Sequence, residues 1–332
     1  MKAAFTVVTN NYISYAKTLG DSVRRHNPEY TFFICLIGKK TDLNSYVDLS
    51  DFSLIEINEL NDTAIIGSMQ SRYSVFELSC ALKPYFAEHI LKNKFINRLK
   101  YIDSDIMLFN SFDPIIESNV TSAVFLTPHF FCPVNPSEGN VTNDAVVLKS
   151  GIYNAGYFEV NNSESSFCFL DWWKERLFNW SYLYKYPFEQ INADQSWLNL
   201  VPVYFKDVAI IDHLGYNASF YNLHEREISN ANKTYLINKN TPLIFFHFTG
   251  YKYYQHEKVS IHNPKYNYEN TPFLESICNE YRDALIENSI EIILNPGTIY
   301  AKPKASRWAF VEKIINHLLK RLFKIRVIKA NI

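Results

Sequence analysis

The chain has 332 residues, a mass of 38.8 kDa and a formal net charge of −1, so it can bury a sizeable core and carries no overall electrostatic case for nucleic acid. Hydrophobic residues make up 47% and charged residues 20%, which excludes a disordered chain. The five cysteines (Cys35, Cys80, Cys132, Cys168 and Cys278) are scattered without a Cys-x-x-Cys pair, against a disulfide framework or a structural zinc site.

The opening MKAAFTVVTNNY is apolar and then turns polar at Thr9-Asn10-Asn11. It reads as a first core strand and not as a signal peptide. No stretch reaches the roughly 18 uncharged apolar residues of a membrane span, so a cytoplasmic location is expected. ISYAKTLGDSVRRH (13–26) has helical spacing at Ile13, Ala16, Leu19 and Val23. TFFICLIG (31–38) and FSLIEI (52–57) are strand-like runs. This rhythm predicts an α/β fold with a mainly parallel sheet and helices on its faces. VFELSCALKPYFAEHILKN (75–93) reads as an amphipathic helix with Pro84 as a candidate break. LKYIDSDIMLF (99–109) reads as the next strand, followed by strands at 123–129 and 153–161 and a helix at 169–178. A loop at 192–201 enters another helix, 242–254 is a late strand running into a glycine turn, 255–273 is loop, and 273–288 is a helix.

The carboxylates Asp103 and Asp105 interrupt the apolar run YIDSDIMLF. Ligands of open α/β sheets bind beyond the carboxyl ends of the strands, and Thr9, Asn10, Asn11 and Tyr12 end the first strand toward the same crevice. Unpaired carboxylates this close disfavour each other's ionised form, so a cation is expected beside them. Two hard oxygen ligands suit Mg²⁺ or Mn²⁺, which would neutralise a diphosphate leaving group. His247, at the end of another strand, could complete an oxygen/oxygen/nitrogen set, which favours Mn²⁺.

In order along the chain, YIDSDIMLF, YNAGYFEV, ADQSWLN and HFTGYKYY resemble the motifs of bacterial nucleotide-sugar glycosyltransferases of the GT-A (Rossmann-like) fold, especially family 8. The resemblance spans residues 3–255 and implies a catalytic domain over 1–260, with a loop and helix extension at 261–304. It implies that Asp103, Asp105 and His247 bind the metal, with Asp103 and its neighbour Ser104 on the donor. Thr9, Asn10 and Tyr12 would contact the nucleobase and ribose, and Lys83 the donor. Asn154 would face the donor sugar, and Asp194 and Gln195 would line the reaction centre. Gly250 would let the backbone approach the diphosphate, with Lys252 as a phosphate contact. The chain departs from the pattern where Lys252 follows Gly250 by two residues, without the Pro-Trp that usually comes next.

Each assignment has a plainer alternative. Asn154 could be a turn residue, Asp194 a helix N-cap, Lys83 a solvated helix lysine and His129 a loop histidine without function. The function implied is transfer of a sugar from a nucleoside diphosphate, UDP in the family, to a cell-surface glycan or lipid-linked acceptor, as in polysaccharide biosynthesis. The anomeric configuration would be retained, with Asp194 the one carboxylate that keeps inversion open. A non-catalytic carbohydrate-binding protein is one rival. A sugar-1-phosphate nucleotidyltransferase is another, although TVVTNNY lacks the Gly-rich basic loop it needs.

The C-terminal SRWAFVEKIINHLLKRLFKIRVIK (306–329) repeats apolar residues at three and four, with seven basic residues against Glu312. That pattern predicts a basic amphipathic tail over 305–332, either lying on an anionic membrane surface or packed on the catalytic domain. The first alternative would make the protein peripheral on the inner face of the cytoplasmic membrane.

Overall fold

The computed structural model describes residues 1–43, 47–119, 121–138, 142–185, 188–262, 265–269 and 271–290. In chain order it runs through β1 (Lys2–Val8), α1 (Ile13–His26), β2 (Tyr30–Leu36), β3 (Ser53–Glu56), α2 (Thr63–Arg72) and α3 (Val75–Asn93). Next come β4 (Arg98–Ile102), β5 (Ile106–Leu108), α4 (Pro114–Ser118), β6 (Val124–Pro128), α5 (Asp144–Ser150), β7 (Tyr153–Asn161) and α6 (Glu164–Trp180). The rest is β8 (Leu183–Lys185), β9 (Phe188–Asn192), α7 (Val201–Tyr204), β10 (Val208–Ile210), β11 (Ile228–Ala231), β12 (Thr234–Ile237), β13 (Thr241–Pro242), β14 (Phe245–His247) and α8 (Pro272–Glu287).

Seven strands form the central sheet in the order β10-β6-β7-β4-β1-β2-β3. All neighbours are parallel except β7, which runs antiparallel to both β4 and β6. The expected mainly parallel α/β sheet is therefore present. Both faces are covered. Leu99 and Tyr101 of β4 join the core under α3 and α6, while Ile102 joins the core under α1, to which Ile13, Ala16, Leu19 and Val23 contribute. The apolar spacing that suggested α1 is thus the stripe it buries.

Two expectations need correction. The run 99–109 is not one strand: β4 ends at Ile102, and β5 leaves the main sheet to pair antiparallel with β14. Asp103, Ser104 and Asp105 form the turn between them, closed by Ile106 N–H donating to the Asp103 carbonyl at 3.1 Å. Pro84 does not break α3, which is continuous from Val75 to Asn93. Proline removes one backbone donor from a helix. Here α3 is started by a capping box between Ser74 and Glu77 and buries Leu78, Ala81, Leu82, Tyr85 and Phe86 around the proline, so packing outweighs the loss. The tail at 305–332 lies outside the described residues. Among those described, no helix is long and apolar enough to cross a membrane.

One buried ionic cluster fixes β4 against its neighbours. Lys100, fully buried, lies 2.6 Å from both Glu117 and Glu159, and Arg98 lies 2.6 Å from Glu159. Burial alone would raise the Glu117 carboxyl, but Lys100, with hydrogen bonds from Lys100, Lys2 and Tyr30, lowers it from 4.5 to about 2. Its contribution to stability is therefore complete above about pH 4.5 and is lost as the pH falls toward 2. Removing one partner leaves a buried carboxylate under-compensated, at a cost of about 3–5 kcal/mol. Lys100→Met should lower the urea midpoint accordingly, and its deficit relative to wild type should shrink when unfolding is repeated below pH 3.

Candidate active site

The carboxyl ends of β1 and β4 and the start of β7 meet along one edge of the main sheet, because β7 runs the other way. There they line an open cleft of about 860 Å³. The turn after β4 presents Asp103 and Asp105. The small β5–β14 sheet supplies the third group: His247 pairs in register with Ile106, and Phe248 N–H donates to the Asp105 carbonyl at 2.8 Å. This pairing places His247 Nε2 3.1 Å from Asp105 Oδ1. Ser219 Oγ donates to the His247 carbonyl at 2.7 Å, securing the strand end.

One ligand atom from each of Asp103, Asp105 and His247 lies within 4.8 Å of the others. Burial by itself opposes charge on both members of the Asp105–His247 pair. Their mutual attraction reverses this, lowering the Asp105 carboxyl and raising the His247 imidazole from their ordinary values. The set fits a divalent cation for a further reason. A Cβ on Gly156 would lie 2.8 Å from His247 Cε1 and 2.9 Å from Asp103 Oδ2, so only glycine leaves these two groups room to converge. Two hard oxygens and one borderline nitrogen suit Mn²⁺ or Mg²⁺.

Lys83 reaches the site from the middle of α3. It is buried, with its Nζ 2.7 Å from Asp194 Oδ2, 3.3 Å from Asp103 Oδ1 and donating to the Ala155 carbonyl at 3.0 Å. It is thus not a solvated helix lysine. Asp194 precedes a 3-10 turn at Gln195–Leu200 but makes no side-chain cap hydrogen bond; its carboxylate goes to Lys83 instead. Gln195 accepts from Ala155 N–H at 3.2 Å and donates to the Ser150 carbonyl at 3.0 Å. Asn154 is a buried residue within β7, not a turn residue. Its amide nitrogen donates to Tyr221 Oη and lies 3.4 Å from His247 Nδ1. His129 is buried on the cleft wall with Nδ1 3.1 Å from the Ile152 carbonyl, and burial lowers it to about 4.

The structure therefore brings Thr9, Tyr12, Lys83, Asp103, Ser104, Asp105, Asn154, Asp194, Gln195 and His247 to one cleft. Asn10, Gly250 and Lys252 are not on its wall. Asn10 is buried beside Gly38, and its amide has no hydrogen-bond partner among the described residues. Gly250 has φ +74° and is closely covered by Ser260 and His262, so any side chain there is strained and obstructed. Lys252 is half-buried off the wall, whereas His262 is on it. Residue-by-residue reading missed Gly156, although it sits inside the YNAGYFEV motif. It also missed Tyr101, whose hydroxyl donates to Asp103 Oδ1.

No protein-family model matches the chain. It is similar to the uncharacterized protein YfnF of Bacillus subtilis (strain 168), at 25% identity over 289 residues, covering 85% of this chain and 92% of that one. Among solved structures, the galactosyltransferase LgtC in complex with donor and acceptor sugar analogs is 14% identical. It covers 85% of this chain and 99% of that one, with a TM-score of 0.49. The glycosyltransferase GlyE of Streptococcus pneumoniae TIGR4 is also 14% identical, covering 92% and 66%, with a TM-score of 0.46. At these overlaps neither structure decides the function, which rests on the site.

The glycine requirement is directly testable. Gly156→Ala should push Asp103 and His247 apart, weakening Mn²⁺ binding at least tenfold by calorimetry. Wild-type affinity in that variant would mean that the three groups do not act as one ligand set.

Proposed function

We propose that the protein is a metal-dependent glycosyltransferase, moving a sugar from a nucleoside diphosphate, UDP in the first instance, to a hydroxyl of a glycan or lipid-linked acceptor. The observation that carries this reading is the convergence of Asp103, Asp105 and His247 at the edge of a cleft that also holds a second polar cluster of Lys83, Asn154, Asp194 and Gln195. A carbohydrate-binding protein needs no such ligand set.

In this reading Mn²⁺ or Mg²⁺, held by Asp103, Asp105 and His247, supplies neutralisation of the diphosphate as it leaves. The chain's own residues do the positioning. Thr9 and Tyr12, which follow β1 and line the cleft, would take the nucleoside. Asn10, buried beside Gly38 and off the cleft wall, is given no direct contact in this reading. Asn154 and Gln195, fixed by their hydrogen bonds to Tyr221, Ala155 and Ser150, bracket the donor sugar.

The anomeric carbon bonds to the acceptor oxygen as its bond to the diphosphate oxygen breaks. The bonding pair stays with the diphosphate, which also receives the hydroxyl proton. Transfer with retention is supported by the engagement of Asp194 with Lys83 at 2.7 Å, which ties up the carboxylate that, among the described residues, was the candidate base for inversion. Gly250 and Lys252, off the cleft wall, are given no donor contact in this reading.

A screen of nucleotide sugars with Mn²⁺ should find one that the protein hydrolyses or transfers, with an unchanged anomeric configuration by NMR. EDTA should stop the reaction, and Asp105→Asn should lower turnover at least 100-fold with little change in thermal midpoint. Wild-type turnover by that variant in EDTA would exclude the metal-dependent reaction.

A further inference from the structure

Lys83 stands out because it is buried, charged and engaged entirely within the protein. An ammonium has three donors, and here three acceptors surround it: Asp194 Oδ2, Asp103 Oδ1 and the Ala155 carbonyl. Its stem side is closed by the Tyr101 ring, 4.4 Å from Nζ. No donor remains for a sugar or a phosphate while these contacts hold. Its physical effect falls on the protein's own carboxylates.

The two oxygens of Asp103 face different neighbours. Oδ1 takes Tyr101 Oη and Lys83, whereas Oδ2 is the oxygen that a Cβ on Gly156 would meet together with His247. Lys83 and Tyr101 therefore fix Asp103 so that Oδ2 points to the His247 side. The same lysine puts a positive charge beside that carboxylate. Fixing the rotamer favours a metal, and the like charge opposes it. A unit charge a few ångströms from a divalent cation changes affinity by about tenfold or more even with a screened interior. Holding one side-chain rotamer contributes less than that.

We propose that Lys83 is a positioning residue that acts as a built-in counter-ion. It holds Asp103 and the Asp194–Gln195 turn in place while keeping the site's affinity for a divalent cation low, so that the cation enters with the donor's diphosphate and not ahead of it. This rests on the glycosyltransferase reading for the identity of the donor, but not for the effect on the metal. Removing the charge has two opposite consequences. The nucleotide-free site becomes more negative and binds metal more tightly, while Asp194 loses its anchor and turnover falls.

The test is Mn²⁺ binding to the full-length protein by calorimetry, without nucleotide and then with UDP, alongside turnover of whichever nucleotide sugar the wild type hydrolyses. Wild type should bind Mn²⁺ weakly alone and at least tenfold more tightly with UDP. Lys83→Met should bind Mn²⁺ alone at least tenfold more tightly than wild type, yet turn over at least 100-fold more slowly. Because Lys83→Met leaves Asp194 buried and uncompensated, the double variant Lys83→Met/Asp194→Asn provides a matched pair with a relieved interior. It should bind nucleotide-free Mn²⁺ at least tenfold more tightly than Asp194→Asn alone, from which it differs by the lysine's charge. Lys83→Arg, keeping the charge, should stay near wild-type metal affinity. Equal or weaker Mn²⁺ binding by both methionine variants than by their matched parents, wild type and Asp194→Asn, overturns the proposal. Wild-type protein that hydrolyses no nucleotide sugar but shows these Mn²⁺ shifts would sink the glycosyltransferase reading alone.

Discussion

After β4 the chain leaves the main sheet, and β5 pairs instead with β14, so that Ile106 stands opposite His247. Backbone hydrogen bonds, not side-chain attraction, bring an imidazole from residue 247 beside a carboxylate from residue 105. Everything else in the cleft is arranged around that junction. β7, antiparallel between β4 and β6, delivers Asn154 and Gly156 to the same edge, and Asp103 N–H donates to the Gly156 carbonyl at 2.8 Å. Because both partners of each contact are set by strand register, a shift in pairing would move the ligands onto the wrong face.

Charge is managed in two separate places. Under the sheet, Arg98 and Lys100 meet Glu117 and Glu159 in a buried cluster remote from the cleft wall. At the edge, Lys83 balances Asp103 and Asp194, and His247 balances Asp105. In each cluster one carboxyl is held below its ordinary value against its own burial, Glu117 by Lys100 in the first and Asp105 by His247 in the second. The first is closed and structural. The second faces an open cleft.

Much of this was legible in the sequence. Short apolar runs ending in polar residues gave the strands of the main sheet, and the periodicity of 13–26 gave α1 with its buried stripe. The order of the Asp-x-Asp, Asn-Ala-Gly, Asp-Gln and His-x-x-Gly segments pointed to residues that do converge. The division of 99–109 into strands of two sheets was not legible, because both pieces are buried and apolar and the change of partner lies in backbone bonding. Lys83 in α3 reads as an ordinary helix lysine, since its counter-ion Asp194 comes more than a hundred residues later. Pro84 reads as a break because the core that holds α3 straight is tertiary. Gly156 carries no side chain to attract notice, and its role is the volume it leaves empty.

The central claim is that Asp103, Asp105 and His247 form one cation site serving a nucleoside diphosphate. Crystals grown with Mn²⁺ and UDP and measured at the manganese absorption edge test it most directly. The account predicts a single strong anomalous peak within coordination distance of all three side chains and of the diphosphate. A peak elsewhere, or nucleotide bound in the cleft with no peak between these residues, would contradict it.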